Sequence, residues 1–310
     1  MLFQHYTRQS WTARSRLPLP PLLTQPQLKR LQGLNEPLNL LEVQQIYWPL
    51  IELLHQRIQL YQQQSMTEAR SNQQPPYIIG IAGSVAAGKS TCARILQWLL
   101  KSWPQPRQVV LVNTDGFLYS NQQLKTHNLM DKKGFPHSYH RQKLIQLMSD
   151  LKAGKPKLQV PLYSHWLYDI IPHQYQCLEQ PEVVILEGLN VLQQRGDYRC
   201  HQSQRFMVDF LDFSLYIDAP EQQLKRWYIE RFLLLRDSAF RDPGSYFYHY
   251  ACLTDEQAVA TASGIWEKIN GLNLRQNILP TRKNAQLILY KGVNHWVEQI
   301  QLQVPLLVTP

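Results

Sequence analysis

Nowhere in its 310 residues does this chain carry an apolar run of the ~18 residues needed to cross a bilayer. No membrane attachment is expected. The N-terminus also lacks the continuous apolar stretch of a secretory signal. Cysteine is scarce: Cys92, Cys177, Cys200 and Cys252 are scattered, with no Cys-x-x-Cys pair. That argues against a zinc site or a disulfide framework and suits a reducing, cytoplasmic setting. Acids are outnumbered, 23 against 32 Lys and Arg, for a net charge of +9. Such a balance suits either nucleic acid or small anionic phosphates. No dense basic run, helix-turn-helix signature or RNP-type aromatic pattern is present, so no nucleic-acid partner is expected. No internal repeat is visible.

One stretch organises the rest. Residues 77–92 contain Gly83-Ser84-Val85-Ala86-Ala87-Gly88-Lys89-Ser90-Thr91, the Gly-x4-Gly-Lys-Ser pattern of a phosphate-binding loop. The apolar, β-branched run Ile78, Ile79, Ile81 precedes it, and a helix-forming run from Ala93 to Leu100 follows. Strand, Gly-rich loop and helix are what the chemistry needs. The glycines let successive N–H groups point at phosphate oxygens, and the helix N-terminus adds its positive end. Lys89 would bridge the β- and γ-phosphates of ATP, and the Ser90 hydroxyl would ligate Mg²⁺.

Along the chain, residues 1–36 carry Pro18, Pro20, Pro21 and Pro26 and many glutamines, which predicts an irregular arm. Residues 37–310 then read as a single domain. A helix is expected over 39–63, capped by Asn39 with Glu42 three residues on. The glutamines at 62–64 and residues 71–76 read as a linker into the first strand. Apolar strands follow at 109–117, 183–188, 213–218 and 285–290, the first two ending in an acid, with a terminal edge strand over 297–304. Helices are expected over 140–152, 221–236 and 254–275. An aromatic-rich ribbon lies at about 158–172. Strands alternating with helices predict an α/β fold with a doubly wound, mainly parallel sheet and flanking helices. Ligands bind such sheets beyond the C-terminal strand ends, where the 83–90 loop, Asp115 and Glu187 all fall.

A kinase needs a phosphate cradle, Mg²⁺, a group to deprotonate the acceptor, and cations for the moving phosphoryl. Asp115 is the candidate base; its strand is expected beside the loop strand, with Gly116 leaving room for a substrate. Glu187 suits a hard cation as a strand-end carboxylate. Each acid is alternatively a turn residue. Arg231 or Arg236 could act as a lid cation over phosphates, or be merely solvated or salt-bridged. Tyr163, Tyr168, Tyr228 and Phe232 could wall an acceptor pocket or be plain core. His165, in the ribbon, could bind a polar group of the acceptor.

The segments 78–91, Thr114-Asp115-Gly116-Phe117-Leu118, Lys132-Lys133-Gly134-Phe135-Pro136, Tyr163-Ser164-His165, Tyr168-Asp169, Glu187-Gly188-Leu189-Asn190-Val191-Leu192 and Asn273 to Thr281 together resemble the bacterial type I pantothenate kinases, a P-loop kinase family. The resemblance runs from about residue 28 to residue 303. It implies phosphorylation of the primary hydroxyl of pantothenate with MgATP, the first step towards coenzyme A. It implies Asp115 as base, Lys89, Ser90 and Glu187 on phosphates and Mg²⁺, and Arg231 on the transferring phosphoryl. Tyr163, His165, Tyr168, Tyr228 and Asn270 would contact pantothenate, and Asn35 and His295 would flank adenine. It further implies a homodimer and feedback inhibition by coenzyme A. The inhibitor would meet Lys89, Arg94 and His165, with its thiol end among Phe232, Leu235 and Phe240. Leu235 stands where the family usually has Phe, and His137 and His140 where it usually has acids. The arm before residue 27 has no clear counterpart. The alternatives are a related kinase for another small alcohol, such as uridine or glycerate, and a non-catalytic nucleotide-binding protein.

Overall fold

The β-branched runs form the centre of one sheet, because strands covered on both faces need apolar residues at every position. In the computed structural model, which describes residues 2–16, 23–68, 74–103, 107–194 and 205–304, the strands are β1 (Phe3–Thr7), β2 (Tyr77–Gly83), β3 (Val109–Asn113), β4 (Lys157–Ser164), β5 (Asp169–Glu179), β6 (Val183–Glu187), β7 (Phe213–Asp218), β8 (Leu287–Lys291) and β9 (Val297–Gln303). The main sheet has the order β1-β9-β8-β7-β2-β6-β3. Its pairs are parallel from β3 through β8, and β9 is antiparallel to both β8 and β1. Every residue of β2 and β6 is buried. The α/β, mainly parallel sheet is therefore as expected. The ribbon is a separate antiparallel pair, β4 with β5.

The helices are α1 (Arg8–Thr12), α2 (Gln25–Leu31), α3 (Leu40–Glu42), α4 (Trp48–Glu68), α5 (Lys89–Lys101), α6 (Asn121–Thr126), α7 (Arg141–Lys152), α8 (Glu221–Arg236), α9 (Asp255–Ile265) and α10 (Gly271–Asn273). A π-helical turn, Val43–Tyr47, joins α3 to α4. Two more, Trp266–Asn270 and Leu274–Ile278, flank α10, so the helix expected over 254–275 runs on with changes of pitch. Among the described residues no helix is long and apolar enough to cross a membrane. Cys92, Cys177 and Cys252 are free thiols, and Cys200 lies outside the described residues.

The arm reading of residues 1–36 does not hold. Residues 3–7 add a strand to the sheet, with Phe3 opposite Gln303 and Thr7 opposite Gln299. Thr7 and Ser10 cap α1 reciprocally. Gln27 accepts from the Thr24 amide at 2.8 Å to start α2, and Pro26 sits in its first turn, where a missing N–H costs nothing. Pro18, Pro20 and Pro21 lie outside the described residues. With β1 in place, β9 is an interior strand, not the edge. Helix α4 extends through the glutamines at 62–64, and of the expected linker 71–73 lie outside the described residues. Asn39 does cap, accepting from the Glu42 amide at 2.8 Å. The Glu42 carboxylate, however, turns to Arg8 and β9 instead of closing a capping box.

Candidate active site

Strand β2 delivers the phosphate-binding pattern to the C-terminal edge of the sheet, and α5 leaves from it. Gly83 (φ +148°) and Gly88 (φ +89°) hold backbone conformations that suit glycine. A Cβ on Gly83 would press on the Ile217 carbonyl, and one on Gly88 would overlap the Glu36 carboxylate and Lys291. Ala86 also has positive φ, and Ala87, within the loop, is buried. The first amides of α5, from Lys89 through Thr91, have no carbonyl of their own helix to bond, which makes this helix start an anion site. Lys89 is buried and donates to the Ser84 carbonyl at 2.7 Å. Burial pushes its pKa down, opposed by the nearby Glu187 and Asp115 carboxylates.

The Ser90 hydroxyl donates to Glu187 Oε1 at 2.9 Å, and the Asn113 amide lies 3.5 Å from Oε2. Burial raises the Glu187 pKa, with Lys89 pulling it back. Among the described residues no cluster of three or more His, Cys, Asp or Glu forms a ready metal cage. A hydroxyl and one carboxylate are oxygen donors of the kind Mg²⁺ takes alongside phosphate oxygens and water, so this pair fits that ion.

Asp115 sits in the 3-10 turn Thr114–Phe117, just past β3. The Asn113 side chain accepts from its amide at 2.8 Å, and the Tyr139 hydroxyl donates to its Oδ1 at 3.3 Å. Two expectations need correction. Strand β3 is not beside β2; β6, carrying Glu187, lies between them. Gly116 leaves room not for a substrate but for the Pro161 carbonyl of the ribbon, which a Cβ would strike. The acids thus end neighbouring strands, and both act electrostatically on Lys89.

The ribbon brings its aromatics over Asp115. Tyr163 packs edge-on to His165 at 5.2 Å and to Tyr168 at 6.4 Å. Lys133 lies 3.8 Å from the Tyr168 ring centre, donates to Asn121 Oδ1 at 2.6 Å, and also donates to the Tyr168 carbonyl. Burial brings Lys133 down to about 8, while Asp169 and Asp115 hold it up. His165 is exposed on the ribbon, yet loss of water around its ring pushes its pKa down, and Asp115 opposes this. Tyr228, hydrogen-bonded to Asn270, is raised by burial to about 12. Phe232 and Phe240 form a second apolar cluster that Leu235, Phe247 and Tyr250 complete.

Arg231 is exposed on α8, and its charge bears on Lys89, Arg94 and His165. Arg236 is no lid cation: it pairs with Asp255 at 2.7 Å and Asp237 at 3.0 Å. Arg94 is tied down, donating to the Leu31 carbonyl at 2.8 Å and to Thr91 Oγ1 at 3.2 Å. Asn35 donates to Glu230 at 3.0 Å and to the Trp227 carbonyl at 3.4 Å. His295 stacks on the Trp227 ring at 3.8 Å, and its Nδ1 has no hydrogen-bond partner. Burial brings its pKa down to about 4. Asn35 and His295 therefore meet around one tryptophan, joined underneath by a buried Glu36–Lys291 ion pair. Residue spacing had singled out neither that pair nor Tyr139, and it had given Lys133 no role. Only the run Lys132-Lys133-Gly134 hinted at the last.

Residues 78–240 match the family model described as Phosphoribulokinase / Uridine kinase. A protein of Pasteurella multocida named pantothenate kinase is 52% identical over 305 residues, covering 97% of this chain and 95% of that one. One of the same name from Haemophilus influenzae is 53% identical, covering 97% of each. Coverage of 97% leaves too few residues outside for the whole N-terminal arm to lack a counterpart. Among solved structures, the D-glycerate 3-kinase of Cryptococcus neoformans superposes with a TM-score of 0.55 at 12% identity, covering 80% of this chain and 97% of that one. That likeness is one of fold.

Proposed function

This chain belongs to the phosphoribulokinase and uridine kinase family and, within it, to the pantothenate kinases; on that premise we propose how its side chains carry the reaction. The activity is transfer of the γ-phosphoryl of ATP to the primary hydroxyl of pantothenate, giving 4'-phosphopantothenate. Asp115 accepts the hydroxyl proton as the oxygen attacks the γ-phosphorus and the bond to ADP breaks. The Tyr139 hydroxyl, 3.3 Å from Asp115 Oδ1, aims the carboxylate. Lys89 and the α5 amides hold the β- and γ-phosphates, with residues 83–91 as the cradle. Arg231 faces the moving phosphoryl. Ser90 and Glu187 would hold Mg²⁺, which supplies charge neutralisation between the phosphates.

The acceptor lies under the ribbon, against Tyr163, His165, Tyr168, Tyr228 and Asn270. The base lies by Asn35 and His295. Coenzyme A competes with ATP through Lys89, Arg94 and His165, and its thiol end reaches Phe232, Leu235 and Phe240. A cytoplasmic homodimer, built of a single kinase domain that includes β1 and binding no nucleic acid, completes the proposal. The observation that carries the site reading is the convergence of Lys89, Asp115 and Glu187 at neighbouring strand ends, under one aromatic ribbon. The test is ADP release with MgATP plus pantothenate, uridine or glycerate. Release that depends on pantothenate alone is expected; equal release with uridine would remove the acceptor assignment.

A further inference from the structure

Residue Arg8 stands far from the chemistry in sequence, yet it reaches the turn that carries His295. Strand β1 pairs with β9 from Phe3 to Thr7, and Arg8 follows at once. Its Nη1 donates to the Val297 carbonyl at 2.9 Å. Its Nη2 lies 2.6 Å from Glu42 Oε2, a close ion pair. Its Nε donates to the Gln45 side chain, and the guanidinium covers the Trp296 ring at 5.3 Å. Glu42, buried, accepts from the Val297 amide at 3.0 Å. Both polar groups of Val297 are thus held by one ion pair. Between β8 and Val297 runs the turn 292–296, closed by the Gly292 amide on the Trp296 carbonyl at 2.9 Å. In it His295 adopts φ +63°, a region a side-chain-bearing residue rarely holds without surrounding support.

We propose that Arg8 and Glu42 are positioning residues for the nucleotide: by clamping Val297 they fix the turn that sets His295 on Trp227. This rests on the reading of His295 as the base-side contact. A role confined to stability would treat both substrates alike. A positioning role acts on ATP, because the ribbon, Asp115 and Asn270 lie on other elements than Arg8, Glu42 and Val297.

The experiment compares Arg8→Gln, Arg8→Lys, His295→Ala and Trp11→Phe by steady-state kinetics, ATP titration and thermal melting. Trp11 is buried in α1 and donates to the Ile46 carbonyl at 3.0 Å, so it reports loss of N-terminal packing alone. Arg8→Gln is expected to raise KM for ATP about tenfold, the scale of one charge-assisted hydrogen bond. KM for pantothenate should stay within about twofold and kcat likewise, the signature of a lost binding contact. Arg8→Lys should recover part of the ATP affinity, and Trp11→Phe should lower the melting temperature with the ATP KM unchanged. An unchanged ATP KM in Arg8→Gln, or a parallel rise for both substrates, overturns the proposal. If His295→Ala weakens ATP and Arg8→Gln does not, only the clamp falls. If His295→Ala leaves ATP affinity intact, the base-side reading falls with it.

Discussion

Replacing Asp115 by Asn tests the chemistry most directly, because the exchange removes a charge and almost nothing else. The Asn113 side chain still receives the amide of residue 115, a bond of 2.8 Å, so the turn keeps its shape. The Tyr139 hydroxyl still has an oxygen to donate to, as it does now at 3.3 Å. What goes is the carboxylate proposed to take the acceptor proton. Loss of a general base lowers rate by about 10²–10⁴, equivalent to ~2.7–5.5 kcal/mol in the barrier. ATP affinity should hold, since removing an anion beside the phosphates adds no repulsion. A second readout follows from the field of the same carboxylate. Asp115 is one of the charges holding Lys133 up, so the ammonium, already brought down to about 8 by burial, should titrate at still lower pH in the variant. The assay is coupled ADP release across pH, with nucleotide titration on the same preparation. Turnover above about a tenth of wild type would remove Asp115 as the base, given the range expected for that role. A large loss of ATP affinity would show instead that the exchange disturbs the loop.

Lys89→Met should weaken ATP binding and turnover together, since the phosphate contact proposed for Lys89 serves ground and transition states alike; unchanged affinity with unchanged turnover would refute its placement. Lys133 is protonated below about 8 and loses its charge as pH rises through that value. We propose that this ammonium, through the Tyr168 ring and carbonyl, holds that residue in place for the acceptor; KM for pantothenate should then climb on the alkaline side, and Lys133→Arg, which keeps its charge, should remove the climb. A flat wild-type profile would refute the role. Coenzyme A should inhibit competitively with ATP, and Leu235→Phe should tighten it. Leu235 packs against the cluster that holds Phe232 and Phe240, and one S···aromatic contact of ~0.3–1.5 kcal/mol amounts to at most about tenfold. Non-competitive inhibition would refute the overlap of sites, and no tightening in Leu235→Phe would refute the pocket.

The parts of the site legible in the sequence are those whose chemistry restricts residue type at a strand end. The loop of residues 83–90 carries its own spacing, and Asp115 and Glu187 each close an apolar run. Their relative order was not legible, because a parallel sheet does not follow chain order: β6 enters between β2 and β3. Gly116 misled for a related reason. A glycine marks a close approach without naming what approaches, and here it is the Pro161 carbonyl. Tyr139 escaped notice because a tyrosine in an irregular loop has no periodicity that points it at Asp115.

The N-terminal segment shows the same limit at longer range. Its prolines read as an arm, yet Phe3 pairs with Gln303 across nearly the whole chain, and no local pattern encodes such a partner. The proposed base side of the nucleotide site draws on segments equally remote: Asn35 and Glu36 before the first central strand, Trp227 on α8, and the end of β8 at Lys291 with the turn that follows it. They meet because β8 and β9 lie on the β7 side of the phosphate loop, so that Lys291 emerges against Gly88 and pairs with Glu36. Family resemblance could name Asn35 and His295, since it compares positions. It could not name Arg8 or Glu42, whose bearing on His295 exists only through the two hydrogen bonds that converge on Val297. A polar pair that fixes a backbone leaves its mark on the conformation of another segment, and that mark is visible only once the strands are laid side by side.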